Sequence, residues 1–315
     1  MESKYAPQVA TLLASILWGS SFVAIGWGLK YLDPYSFAFL RFVFAALIMF
    51  GFAASLSKFD FRLFRDRRII LIGAINGAAY LLQFVGQKYI TPQNSAIAAL
   101  LVNTNVIVVA LLSTKLFGEK LEARKKYAVA IGLAGVLFIT TKGNMNVLSG
   151  SGAAEFFGGM LVLLVGIIWA FYIVFSKSVL SDRRRSIMQI TACVFAYTAL
   201  VMLPAFLVSG GIEAVSKIPA SGWVAIEYTA IFCTVAAFLL WSYGLRRISA
   251  TASSIMLLME IVSAFAISMS LGLLFPESGL YEEFGAFEIV GIALVLAAVT
   301  LAAFDSYKNP AQKFF

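Results

Sequence analysis

Residues 251–275 read TASSIMLLMEIVSAFAISMSLGLLF. About 20 apolar residues in a helix cross the ~30 Å hydrocarbon core of a bilayer, so this stretch is long enough to span a membrane. Its middle carries one carboxylate, Glu260. A charge at that depth costs roughly 2.5–3.5 kcal/mol on the mildest scale, and such residues mark solute or ion pathways. The stretch has a counterpart earlier in the chain. GQKYITPQNSAIAALLVNTNVIVVALLSTKLFGE at 86–119 aligns without a gap on GLRRISATASSIMLLMEIVSAFAISMSLGLLFPE at 244–277. Gly86 falls on Gly244, Ile90 on Ile248, Ser95 on Ser253, Ile97 on Ile255 and Glu119 on Glu277. The chain reads as two copies of one unit, and Glu260 is where the copies differ most in charge.

The composition agrees with a membrane protein. Hydrophobic residues make up 61% and charged residues 13%, with a mean hydropathy of +0.91. Soluble domains carry about 25% charged residues. With no His in the chain, His-based metal sites and proton relays are excluded. Cys193 and Cys233 lie inside apolar runs at no metal-like spacing and read as small apolar fillers. No metal and no cofactor is expected. The first apolar run, from about Val9, is too long for a signal-peptide core and reads as a first membrane helix.

Outward from the opening stretch, apolar runs predict an all-α integral membrane protein of ten transmembrane helices. The first five lie at about 7–29, 35–56, 69–88, 93–114 and 124–141, and the second five at about 155–176, 187–208, 220–244, 251–275 and 285–304. Asp33-Pro34 and Thr91-Pro92 mark turns, and a polar stretch, Lys142 to Gly152, separates the halves. The expected units are 1–145 and 146–315. In the third span Asn76, Tyr80, Gln83 and Gln87 recur on one helical face. In the eighth, Glu227, Thr234, Phe238 and Trp241 do the same. The repeat offset places Asn76 on Thr234, Tyr80 on Phe238 and Gln83 on Trp241, so the two stripes are equivalent.

The net charge of +8 is explained by topology, with no nucleic-acid partner expected. With the N-terminus inside, nineteen Lys and Arg residues fall on the cytoplasmic side and four, Lys30, Lys88, Lys142 and Lys217, outside. The positive-inside rule therefore predicts cytoplasmic termini. Five spans per unit is an odd number, so the second copy is inverted. The basic segment Lys115–Lys126 is expected inside and its acidic equivalent Pro276–Glu283 outside. Inverted repeats are the signature of carriers that alternate access to a site near the midplane.

Together with this plan, Trp18-Gly19-Ser20-Ser21-Phe22, Leu40-Arg41-Phe42, and the Phe-Gly-Glu and Phe-Pro-Glu ends of the fourth and ninth helices resemble the EamA family of the drug/metabolite transporter superfamily. The resemblance implies a cavity lined largely by helices one, three, four, six, eight and nine, and export of small metabolites such as amino acids. Glu260 matches an acid that the family often follows with Pro. Here Ile261 follows, so a proline kink is not expected on that ground.

The candidate substrate-binding residues are Glu260, Asn76, Tyr80, Gln83, Asn103, Trp18, Trp169, Tyr172, Thr234, Phe238 and Trp241. Glu260 could be a bonded structural carboxylate, but an uncompensated intramembrane acid more often lines a polar pathway. On a regular helix its face is shared with Ser253, Met256, Ala264 and Ile267. Interhelical hydrogen bonding is as good a reading as cavity lining for any one stripe residue. The mid-helix aromatics suit a pocket for a partly apolar solute. Asn103 and Asn105 lie two apart, so one at most, Asn103, is expected to face the cavity. Arg41 is expected to snorkel outward or to pair with Glu227. Gly132, Gly135 and Gly291 read as close-packing sites. The expected function is secondary transport of a small organic solute, with protons as the candidate coupling ion. No Gly-x-x-x-x-Gly-Lys-Ser/Thr loop points to ATP, and no catalytic constellation points to an enzyme. A channel or lipid scramblase is the alternative. A multi-pass protein of a prokaryotic cell membrane, monomeric or homodimeric, is expected.

Overall fold

The computed structural model describes residues 4–56, 59–89, 101–143, 153–276 and 285–308. Among these residues every regular element is helical. The long helices are α1 (Ala6–Gly28), α2 (Pro34–Leu56), α3 (Arg67–Lys88), α4 (Leu101–Phe117), α5 (Ala123–Thr141), α6 (Ala153–Leu180), α7 (Ile187–Val208), α8 (Ala220–Arg247), α9 (Ala250–Leu274) and α10 (Ala286–Lys308). Eight of them, all but α4 and α5, are long and apolar enough to cross a membrane. The described part of α4 is a shorter apolar helix, and α5 opens on Arg124, Lys125 and Lys126. The turn at Thr91-Pro92, the linker 144–152 and most of Pro276–Glu283 lie outside the described residues.

Helices pack as the apolar pattern requires. α5 lies along α10, α2 along α7, and α3 against both α6 and α7, while α1 lies against α8 and α9. One core joins Phe42, Met49, Ile72, Phe195, Met202 and Trp241; a second joins Val136, Ile255, Met256, Val295 and Ala298. Leu47, Leu111, Leu200 and Leu273 stay exposed along the flanks, where lipid rather than water is the compatible solvent. The chain is a multi-pass membrane protein. A Cβ on Gly135 would lie 2.7 Å from the Gly291 carbonyl, and the reverse holds for Gly291. Their lack of side chains sets the close α5–α10 approach.

Polar groups tie the helix ends. The Asp33 carboxylate accepts the N–H groups of Tyr35 (2.9 Å) and Ser36 (3.1 Å), starting α2 with Pro34 in its first turn. At the α8–α9 turn, Lys177 Nζ donates to the carbonyls of Leu245 and Ile248, both at 2.7 Å. Glu119 accepts the Ala250 N–H and the Thr251 hydroxyl, each at 3.0 Å. Orphan groups at both helix ends are thus satisfied by charged side chains from α6 and from the α4–α5 connection.

Three helices depart from regularity. α4 is interrupted at Thr104 and α9 at Leu258, where i→i−3 bonds (Thr104 N–H to Leu101 O at 3.3 Å, Leu258 N–H to Ile255 O at 3.1 Å) replace the α pattern. α8 contains a π-helical segment, Ile231–Ala236, across which the Thr234 hydroxyl donates to the Thr229 carbonyl at 2.8 Å. No proline is needed for the α9 break. The Ser15 hydroxyl of α1 donates to the freed Met256 carbonyl at 3.2 Å, so a neighbouring helix satisfies the interrupted backbone.

Candidate functional site

A cavity of about 620 Å³ opens among α1, α2, α3, α4, α6, α8 and α9. Its wall includes Trp18, Arg41, Tyr80, Gln83, Asn103, Asn105, Trp169, Tyr172, Phe238, Trp241, Ser254, Leu257 and Glu260. Nine of the eleven sequence candidates are therefore brought together: Glu260, Tyr80, Gln83, Asn103, Trp18, Trp169, Tyr172, Phe238 and Trp241.

The aromatic residues form a connected wall. Trp18 meets Phe238 edge-on at 5.1 Å and Trp241 at 6.0 Å between ring centroids, and Tyr172 stacks on Trp241 at 5.6 Å. Tyr80 and Trp169 continue the series, edge-on at 5.2 Å. Such pairs add about 0.5–1.5 kcal/mol beyond area burial. Trp241 is further fixed by its indole N–H, which donates to the Ser253 hydroxyl at 3.2 Å. The result is a rigid apolar surface with polar groups set into it, as small-molecule sites commonly have.

Glu260 sits in the first turn of the second segment of α9, Met259–Leu274. The positive end of that half-helix favours a carboxylate there. Gly19 sets its position: a Cβ on Gly19 would lie 2.7 Å from the Glu260 carbonyl oxygen, so only glycine lets α1 pass this close to the break. On α9 the residues sharing the cavity with Glu260 are Ser254, Leu257 and Ile261, and not Ser253 or Met256. The tight turn at Leu258 removes part of a helical turn and rotates the preceding segment relative to Glu260. A similar break explains why Asn103 and Asn105 both reach the cavity, against the expectation for a regular helix.

Asn76 and Thr234, expected on the wall, are fully buried between helices instead. Asn76 Nδ2 donates to the Thr198 hydroxyl of α7 at 2.9 Å. Thr234 accepts from Arg41 Nε at 2.6 Å. Arg41 itself neither snorkels nor pairs with Glu227, which is exposed. It is 3% exposed, lines the cavity, and donates a second bond to the Cys233 carbonyl at 3.1 Å. The π segment accounts for the placement of Arg41 and Glu227, whereas Asn76, on the regular α3, is buried by its contact with α7. The π segment inserts a residue into the α8 repeat, so Glu227 leaves the face held by Phe238 and Trp241, and the Cys233 carbonyl turns toward α2. An arginine within an apolar span was the signal for Arg41; nothing in the pattern signals the π segment.

Comparison with known proteins agrees with this architecture. The model of the EamA-like transporter family matches residues 7–141 and 156–304. An "Uncharacterized transporter" of Archaeoglobus fulgidus is 28% identical over 292 residues, spanning 92% of this chain and 94% of the relative. The "Uncharacterized inner membrane transporter YedA" of Escherichia coli (strain K12) is 27% identical over 306 residues, spanning 94% and 90%. A crystal structure 17% identical in sequence superposes with a TM-score of 0.76 over 97% of this chain and 99% of its own, which shows a shared fold.

Proposed function

The chain belongs to the EamA-like transporter family and is a membrane transporter, and from that premise we propose that it is a secondary carrier exporting small organic metabolites such as amino acids or amines. The observation that carries this reading is the central cavity of about 620 Å³, walled by helices of both halves and holding one intramembrane carboxylate, Glu260. Access alternates between the two sides by movement of inverted five-helix units, 1–145 and 146–315. The packing supports that symmetry: α3 against α6 is matched by α8 against α1, and α1 against α9 by α6 against α4. Discontinuous α4 and α9 at the cavity are a feature of carriers built this way.

Glu260 has two candidate tasks, holding a cationic group of the solute or carrying a coupling proton. Glu260→Gln keeps shape and hydrogen-bonding capacity and removes the titration. In proteoliposomes, loss of pH-driven uphill flux with substrate exchange intact assigns the proton. Loss of both affinity and exchange assigns the cation. A Gln variant that transports like the parent at every pH would make Glu260 a structural carboxylate. Saturable flux with counterflow supports a carrier; flux without either supports a channel or scramblase.

The carrier is placed in a prokaryotic cell membrane with both termini cytoplasmic, a reading supported by the nineteen-to-four distribution of positive residues. An impermeant thiol reagent applied to intact cells should label a single cysteine at Ser151. Labelling at Arg184 instead would reverse the topology.

A further inference from the structure

Arg41 is the second charged side chain of the cavity, and the established family membership gives it no task. Glu260 on the same cavity wall is the opposite charge nearest in effect, and each lies within the other's electrostatic reach, but no ion pair joins them. A guanidinium has five N–H donors. Two are used, on Thr234 Oγ1 at 2.6 Å and on the Cys233 carbonyl at 3.1 Å. Both acceptors are uncharged. Among the described residues the other three N–H groups have no protein acceptor, and Arg41 enters no ion pair. A cation this buried, 3% exposed, within an apolar span carries a desolvation penalty that two neutral hydrogen bonds do not remove.

Its orientation is nonetheless fixed. The Nε edge is anchored on α8 through the π segment. The rings of Phe42 and Tyr80 lie beside the guanidinium, their centroids 5.7 and 5.9 Å from Cζ. Tyr80 and Arg41 both line the cavity that holds Glu260. The guanidinium is thus a preorganised planar fork, itself 3% exposed, and burial makes its charge count for more than in bulk water. A planar, singly charged carboxylate matches such a fork with two parallel hydrogen bonds.

We propose that Arg41 is an anion subsite of the cavity, taking the carboxylate of a transported solute through its unused N–H groups. The inference rests on the carrier reading above. It defines the solute class as one bearing a carboxylate, and a solute that also bears an ammonium group has Glu260 on the same cavity wall to receive it. The apolar body of the solute then lies against the aromatic residues. Thr234 is a positioning residue in this arrangement, since it touches Arg41 rather than the solute.

The test uses the purified full-length protein and three probes that share one apolar body: leucine, 3-methylbutylamine and 4-methylpentanoate. Affinities are titrated by tryptophan fluorescence, since Trp18, Trp169 and Trp241 line the cavity. Arg41→Gln should weaken leucine and 4-methylpentanoate by roughly ten- to hundredfold, the range for losing hydrogen bonds to a charged group. It should not weaken 3-methylbutylamine, since removing a positive charge from the cavity cannot disfavour a cation there. Arg41→Lys keeps the charge without the fork, and should give a smaller loss for the two carboxylates, again sparing the amine. Glu260→Gln should leave 4-methylpentanoate binding in place. Equal weakening of all three probes, an unchanged ratio of leucine to amine affinity, or no binding of any probe to the folded parent each overturns the subsite. If Arg41→Gln does not fold, the same ratio is read in Arg41→Lys. Failure of the carrier reading is separate: leucine binds with the predicted Arg41 dependence, yet proteoliposomes show no saturable leucine flux or counterflow.

Discussion

α3 and α8 occupy equivalent places in the two halves, and their equivalent residues have taken different work. Asn76 and Thr234 align in the repeat, and each is fully buried and bonded to a neighbouring helix. Asn76 bonds Thr198 of α7, a neutral pair. Thr234 bonds Arg41 of α2, a charged one. Thr198 therefore stands in the fold where Arg41 stands. One half keeps a contact that only holds helices together, and the other aims a guanidinium into the cavity. The opposite asymmetry holds for the acid: Glu260 of α9 aligns with Val102 of α4, and both line the cavity. In the two-unit reading proposed above, one charge from each half makes the cavity polar and directional.

The comparison predicts unequal responses to equivalent substitutions. Thr234→Val leaves a buried guanidinium without its best acceptor and should cost about 1.5–3 kcal/mol, the range for hydrogen bonds to charged groups. The readout is the unfolding midpoint in detergent. A cost no greater than that of Asn76→Ala would erase the distinction between the two contacts.

The α3–α7 contact has a further tether beyond the bilayer core. Asp66, just before α3, forms an ion pair with Arg185, just before α7, and the Tyr197 hydroxyl donates to the Phe64 carbonyl at 2.6 Å. Burial pushes the Asp66 carboxyl up, but hydrogen bonds from the Arg185 side chain and from the Arg68 backbone and side chain outweigh it and hold it down at about 2. The folded value lies below the unfolded one. Its stabilisation is therefore complete above about pH 4 and disappears as the pH falls through about 2. Asp66→Asn should lower stability by about 1–2 kcal/mol at neutral pH, with a smaller difference from the parent as the pH falls below 4. A difference that does not change with pH would mean that the pair contributes packing rather than charge.

Asn76→Ala should have the smallest effect, about 0.6–1 kcal/mol, the usual size of a neutral interhelical bond in a membrane protein. Solute affinity should not change, because Asn76 does not reach the cavity. A loss of affinity as large as that of an Arg41 substitution would return Asn76 to the site.

The frame was legible in the sequence because hydropathy and repetition carry it. Long apolar runs have few alternatives to membrane helices, since a buried backbone must bond within itself. The gapless match of 86–119 to 244–277 is the basis of the two-unit proposal, and the depth of one acid within an apolar run pointed to Glu260, which lines the cavity. Trp18, Tyr80, Trp169, Tyr172, Phe238 and Trp241 were readable for a related reason: large aromatic residues in mid-helix, beside polar ones, have little purpose toward lipid.

What the sequence did not decide was the rotation of each helix segment about its axis. A regular helix advances about 100° per residue, so one inserted or omitted position swings a whole segment to a new face. That happens at Ile231–Ala236, at Leu258 and at Thr104. It moved Glu227 off the face of Phe238 and Trp241 and brought Ser254, Leu257 and Asn105 onto the cavity. No proline or glycine marks those positions. The backbone groups freed there are satisfied from other helices, by Arg41 on the Cys233 carbonyl and by Ser15 on the Met256 carbonyl. Irregular backbone is stable in a membrane protein when such partners arrive from elsewhere in the chain, so tertiary packing determines which side chains face the cavity.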